Sequence, residues 1–267
     1  MLIDVPAYYY AQHGADVTAQ HPALSFQGWT ETQVPLDPVR TAVVVMHSWK
    51  LPGTEQCPGL FKHLEYGSRA DDIMENRFPA FLEAVRKSGI RLIHVAAGFE
   101  PQLQEFSGYH AVRKKYPPQG EPRITPTKQM LELKERHWHQ SCSANADDYA
   151  DIERSFRLRG FTILPRDNEE VVTASNQLFE ICSENGIEHL IYTGFAVNAC
   201  LTMSPCGFLD MVRRGFMCSV VGDLTTGVEN KESCLTQANR NYGLWQFAMQ
   251  GGYVFLSECL KETFAEL

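Results

Sequence analysis

The sequence contains no run of about eighteen apolar residues, and no basic segment leads into an apolar stretch near its start. Nothing in it therefore reads as a membrane-spanning helix or an export signal. Its eight cysteines, at 57, 142, 182, 200, 206, 218, 234 and 259, include no CxxC pair, which removes the spacings of zinc ribbons and thioredoxin-type redox sites. Cys182 and Cys218 sit inside apolar stretches and read as small buried hydrophobes in a reducing compartment, so a cytoplasmic location is expected. Positive charge is also scarce. With 24 Lys and Arg against 32 Asp and Glu, the net charge of −8 leaves no field to hold a nucleic-acid backbone or an anionic membrane. Neither an internal repeat nor a low-complexity segment is present.

What is there is the composition of an ordinary globular protein, 44% hydrophobic and 21% charged over 267 residues, enough to bury a sizeable core. Residues 1 to 40 hold four prolines and little periodicity, and read as an irregular N-terminal arm. From residue 41 onward, short β-branched runs alternate with amphipathic stretches, the pattern of βαβ units. The expected strands are AVVVMH (42–47), RLIHVAA (91–97), FTILP (161–165), HLIYTGF (189–195), FMCSVVGD (216–223) and YVFLS (253–257). Helices are expected over about 69–87, 173–185, 200–214 and 231–249, several stopped by a glycine. Residues 98–150 are long, polar and proline-interrupted, and read as an insertion with one helical piece near Lys128 to His137. Right-handed crossovers fold this order into one α/β domain over 41–267, a three-layer α/β/α sandwich around a six-stranded, mostly parallel sheet.

Ligands of open parallel sheets bind beyond the carboxyl ends of the strands, which directs attention to the residues leaving each strand. Cys200 follows the fourth strand at the first turn of an expected helix, a place suited to a nucleophilic thiol. His47 leaves the first strand and could serve as its general base or imidazolium partner, with Asp167 orienting the ring. Arg166, Trp49, Trp138, His139 and Asn198 are candidate pocket residues. The two histidines of ArgHisTrpHis (136–139) lack a third ligand spaced beside them, so no metal is expected. Cys206, off the helical face of Cys200, reads as core. The run Tyr8–Tyr10 fits an oligomer contact or internal packing equally well.

The stretch IEHLIYTGFAVNACLTMSPCGFLDMVRRGFMCSVVGD, residues 187–223, resembles the isochorismatase-like cysteine hydrolases. Their pattern is an apolar strand, a glycine, a short turn and a nucleophilic cysteine opening a helix; TAVVVMHSW resembles their first strand. The resemblance implies an isochorismatase-like hydrolase fold, hydrolysis of a C–N bond in a small amide or ureido compound, no cofactor, and a homodimer or homotetramer. It also implies Cys200 as nucleophile, the amides of Ala196 and Cys200 as oxyanion hole, and a cis peptide at Phe195–Ala196. Two positions depart from the family. Its acidic residue after the first strand is matched here by His47, or by Met46 with a one-residue slip, and its lysine after the third strand by Asp167 or Arg166. Metal-binding relatives carry Asp-x-His after the second strand, where this chain reads AAGFEPQ. Three functions are compatible with that pattern: a hydrolase with an altered triad, a catalytically silent protein binding a small molecule or protein partner, and a lyase or isomerase that uses Cys200 as a polar wall.

Overall fold

In the computed structural model, which describes residues 2–142 and 145–267, the chain folds around an eight-stranded sheet. The elements follow in the order β1 (Ile3–Ala11), β2 (Gly28–Leu36), β3 (Thr41–Met46), β4 (Trp49–Lys50), α1 (Pro58–His63), α2 (Gly67–Asn76), α3 (Phe78–Ser88) and β5 (Arg91–Val95). Then come α4 (Ser107–Lys115), α5 (Lys128–Cys142), α6 (Ala146–Leu158), β6 (Gly160–Phe161), β7 (Glu170–Val172), α7 (Ser175–Glu184) and β8 (His189–Gly194). The chain ends with α8 (Cys200–Met203), α9 (Phe208–Arg213), β9 (Met217–Val221), α10 (Ala238–Met249), β10 (Val254–Phe255) and α11 (Ser257–Phe264).

The sheet order is β2-β1-β10-β9-β8-β3-β5-β7. Its six strands from β10 to β7 run parallel, as the sequence pattern predicts. All six residues of central β3 are buried, and their alternation divides the core. Ala42, Val44 and Met46 join one cluster with residues of α7, α9 and α10. Val43 and Val45 face the other way, into a cluster with α2, α3 and α11. On α3 the buried positions Phe78, Phe81, Leu82 and Val85 form one helical stripe, and Gly89, at φ 77°, stops the helix in the left-handed region.

The structure departs from the sequence expectation at several places, and residues 98–150 hold α4, α5 and the start of α6 rather than one helical piece. Residues 1–40 are not an irregular arm: β1 and β2 form a nine-residue antiparallel ladder, and β1 pairs with β10 at Ala7 and Tyr8, so the sheet has eight strands rather than six. Val5, Ala7, Val34 and Leu36 are the buried alternate positions, and Pro35 is tolerated because β2 is an edge strand. FTILP is not a strand of the main sheet; Gly160 and Phe161 pair instead with Trp49 and Lys50 in a separate two-stranded ribbon. The third parallel strand is the three-residue β7. The helix expected over 69–87 is two, because Pro79 begins a new one at α3. The helix expected over 200–214 is likewise broken between α8 and α9, where Pro205 interrupts it and Cys206 adopts φ 66°.

Candidate active site

The carboxyl ends of β3 and β8 lie side by side, with Met46 opposite Gly194, and the chain leaving β8 folds tightly across that edge. Gly194 has φ 112°, and a Cβ there would stand 1.9 Å from the Met46 carbonyl oxygen, so only glycine fits. The next peptide, Phe195–Ala196, is cis. Beyond it the turn is pinned on both sides. Val197 N–H donates to the Thr226 carbonyl at 3.0 Å, and the Thr225 hydroxyl donates to the Gly194 carbonyl at 2.7 Å. The Asn198 amide grips the Val228 backbone, donating to its carbonyl at 2.9 Å and accepting from its N–H at 2.8 Å. Asn198 is therefore a scaffold of the turn rather than a pocket wall. Cys200, partly exposed, opens the single-turn α8. Among the described residues, the N–H groups of Ala196 and Cys200 donate to no protein acceptor.

His47 leaves β3 beside this turn in the left-handed region, φ 52°, a conformation that costs a non-glycine residue about 1–3 kcal/mol and gathers at functional sites. Its N–H donates to the Val95 carbonyl at 3.0 Å, and its ring stacks on Trp49 with centroids 4.5 Å apart. The ring is buried and its Nδ1 has no partner. Burial pushes its pKa down to about 4, with Glu100 opposing and Arg159 adding to the shift, so at neutral pH the imidazole is uncharged. An imidazolium paired with a thiolate is therefore not the resting state. His47 has the standing of a neutral base.

Glu100 and Arg159, outside the expected triad, act on His47, and Tyr66 joins them through Arg159. Glu100, 3% exposed, accepts from Trp49 Nε1 at 2.8 Å and from the N–H groups of Ala97 and Gly98 at 2.7 and 2.8 Å. Arg159, 7% exposed, lies with its guanidinium carbon 4.6 Å from the Trp49 ring centre and 4.5 Å from that of Phe156. Burial lowers its pKa, opposed by Tyr66, Cys200 and Glu100. Tyr66 is pushed up to about 12 by burial, then by Cys200, against Arg159 and with Glu65. Cys200 thus acts electrostatically on Tyr66 and Arg159, and Arg159 and Glu100 act on His47.

Asp167 is not among them. It precedes β7, so it lies at the amino end of the parallel sheet, where it accepts from the Ser107 hydroxyl at 3.3 Å. The neighbouring Arg166 pairs with Glu83 of α3 at 2.7 Å. Both follow FTILP, which is not the third parallel strand. The strand that takes that place ends in Val172 and leads to Thr173, a neutral residue. Trp138 and His139 stand on exposed α5 and meet His63 and Tyr149 at 6.1 and 4.7 Å. Trp49 does line the site. Cys206 is buried, as expected of core. Among the described residues, no three His, Cys, Asp or Glu side chains are grouped as metal ligands.

No family model and no curated protein matches this sequence. Among solved structures, a cysteine hydrolase from Pseudomonas syringae pv. phaseolicola 1448A superposes on it with a TM-score of 0.51 and 14% identity, over 87% of this chain and 96% of that one. The chain has the isochorismatase-like hydrolase fold. An isochorismatase family protein from Burkholderia thailandensis is similar at 12% identity and a TM-score of 0.48, over 86% of this chain and 97% of that one. At such identities the likeness is one of fold. The chemistry rests on this chain's own residues.

Arg159 and Tyr66 escaped sequence reading because neither leaves a main-sheet strand. Arg159 sits at the end of α6, between the expected insertion and FTILP, and reaches the site only because β6 folds back on β4. Glu100 is visible in AAGFEPQ as an acid after the second strand, but its partners are set by the fold.

Proposed function

We propose that the protein is a cysteine hydrolase of the isochorismatase-like kind that cleaves a C–N bond in a small amide or ureido compound. One observation carries the proposal: a partly exposed thiol, Cys200, opens a turn whose Ala196 and Cys200 N–H groups have no acceptor, beside a neutral histidine with a free ring nitrogen. Other cysteines offer no such setting. Cys182, Cys206 and Cys218 are buried, and burial pushes all three thiols up, Cys182 to about 12.

In this reading Cys200 Sγ attacks the carbonyl carbon and passes its proton to His47. The oxyanion that forms is held by the N–H groups of Ala196 and Cys200. Collapse breaks the C–N bond, and the departing nitrogen takes the proton from His47. Water then attacks the thioester, giving up a proton to His47, and release of the acid restores the thiol. Burial suits His47 to the second of these roles, since an imidazolium forced into this site is a strong acid toward the leaving nitrogen.

The departures from the family pattern favour a second reading, a silent protein that binds a small molecule. A screen of primary amides and ureido compounds, read as ammonia release, separates the two. The hydrolase reading expects turnover that Cys200→Ser and His47→Asn each reduce by about a hundredfold or more. No turnover, with Cys200 alkylated by iodoacetamide no faster than exposed Cys234, would leave the binding reading standing.

A further inference from the structure

Arg159 is a buried cation without a hydrogen-bonded anion. Among the described residues no carboxylate or carbonyl accepts from its guanidinium, and its Nε is buried with no partner. Trp49 and Phe156 offer ring faces, and Phe99 closes the group, 5.8 Å from Trp49 and 5.4 Å from Phe156. Aromatic faces attract the charge but accept none of its five N–H donors. Glu100, the nearest acid, has its oxygens committed to Trp49, Ala97 and Gly98. A buried charge with no hydrogen-bonded partner is costly, and two further polar atoms of the same region lack partners: His47 Nδ1, in the ring that stacks on Trp49, and Thr162 Oγ1, whose residue donates its N–H to the Ser48 carbonyl. Three unpaired polar groups thus belong to residues that border the β4–β6 ribbon.

A flat guanidinium held between rings presents a fork of parallel N–H donors, which matches the two coplanar oxygens of a carboxylate. A thiolate at Cys200 would occupy one donor and leave the rest of the fork unpaired. We infer that Arg159 is a specificity residue that anchors a carboxylate on the substrate, so that the compound cleaved at Cys200 is an anionic amide or ureido acid rather than a neutral amide. Trp49 and Phe156 hold the fork flat, and Glu100, through Trp49, fixes the angle of the ring beneath it. The inference rests on the proposed hydrolase reading for the reaction, but not for the anchor itself.

The test uses two reagents of the same shape and opposite character, iodoacetate and iodoacetamide, on the native protein, with alkylation of each cysteine followed peptide by peptide. The ratio of iodoacetate to iodoacetamide rates at Cys200 is expected to exceed the ratio at exposed Cys234 by tenfold or more and to saturate with iodoacetate. Arg159→Met should bring the Cys200 ratio down to that of Cys234, and Arg159→Lys, which keeps the charge but loses the fork, should fall between. Acetate should protect Cys200 from iodoacetate better than inorganic phosphate does. Equal ratios at the two cysteines in the native protein, a raised ratio that survives Arg159→Met, or better protection by phosphate would each overturn the carboxylate anchor. Slow alkylation of Cys200 by both reagents at a raised ratio would remove the nucleophile and keep the anchor. Fast alkylation at the Cys234 ratio would do the reverse.

Discussion

The indole N–H of Trp49 donates to Oε1 of Glu100 at 2.8 Å. That bond ties the ribbon strand β4 to the loop after β5, and it sets the ring on which His47 stacks below and Arg159 rests above. Trp49→Phe would keep a ring there and delete only the donor. Glu100 would retain the Ala97 and Gly98 N–H groups, so the expected cost is about 1–3 kcal/mol, seen as a lower urea midpoint at unchanged slope. No change in midpoint would show that water replaces the indole without penalty.

Acid should destabilise the fold through His47 and His94. Both are buried with an unpartnered Nδ1, and burial lowers both pKa values, His47 from 6.5 to about 4. Because the unfolded chain takes up the proton first, the stability owed to each neutral ring is complete above its unfolded value and is lost as pH falls toward the folded one. Between about pH 6 and 4.5, His47 contributes a slope of up to about 1.4 kcal/mol per pH unit. His47→Asn tolerates the left-handed backbone and should make the limb shallower by one proton. Urea midpoints across that range in the two proteins measure it; identical slopes would show that His47 does not titrate there.

Gly194→Ala should abolish folding at ordinary expression temperature, because its Cβ would lie 1.9 Å from the Met46 carbonyl oxygen and φ is 112°. Gly215→Ala is the control. That residue has φ 96° but nothing within 4 Å of its Cβ, so it meets backbone strain alone, about 1–2 kcal/mol. Soluble yield and thermal midpoint should separate the two variants; equal behaviour would mean that the close approach relaxes.

Asp167→Asn should leave the alkylation rate of Cys200 within twofold and stability within about 0.5 kcal/mol, since Asp167 faces Ser107 at the far end of the sheet. Two residues on, the outcome reverses. Glu169 pairs with Arg86 at 2.6 Å and His94 at 2.8 Å and accepts from Arg166 N–H, so Glu169→Gln leaves Arg86 uncompensated and should cost about 3–5 kcal/mol. A large change in Cys200 alkylation in Asp167→Asn would return that residue to the site.

The sequence by itself determined the parallel core of this protein. The β-branched runs of β3, β5, β8 and β9, each bounded by a helix with an apolar stripe, leave one economical packing, and the glycine-turn-cysteine segment after β8 marks the edge where a ligand binds. Cys200, His47 and Trp49 were legible because each directly follows such a strand. Short or proline-bearing strands were not. β7 has three residues, too few for a periodic signal, and FTILP carries more β propensity than the strand the sheet selects. The antiparallel pairing of β1 and β2 depends on partners 17 to 33 residues apart, which no short local window contains. The surroundings of Cys200 were decided only by tertiary structure, because Arg159, Tyr66 and Glu100 come from separate loops and helix ends. Their juxtaposition follows from the ribbon of β4 and β6 and from what burial does to charge once the chain has closed.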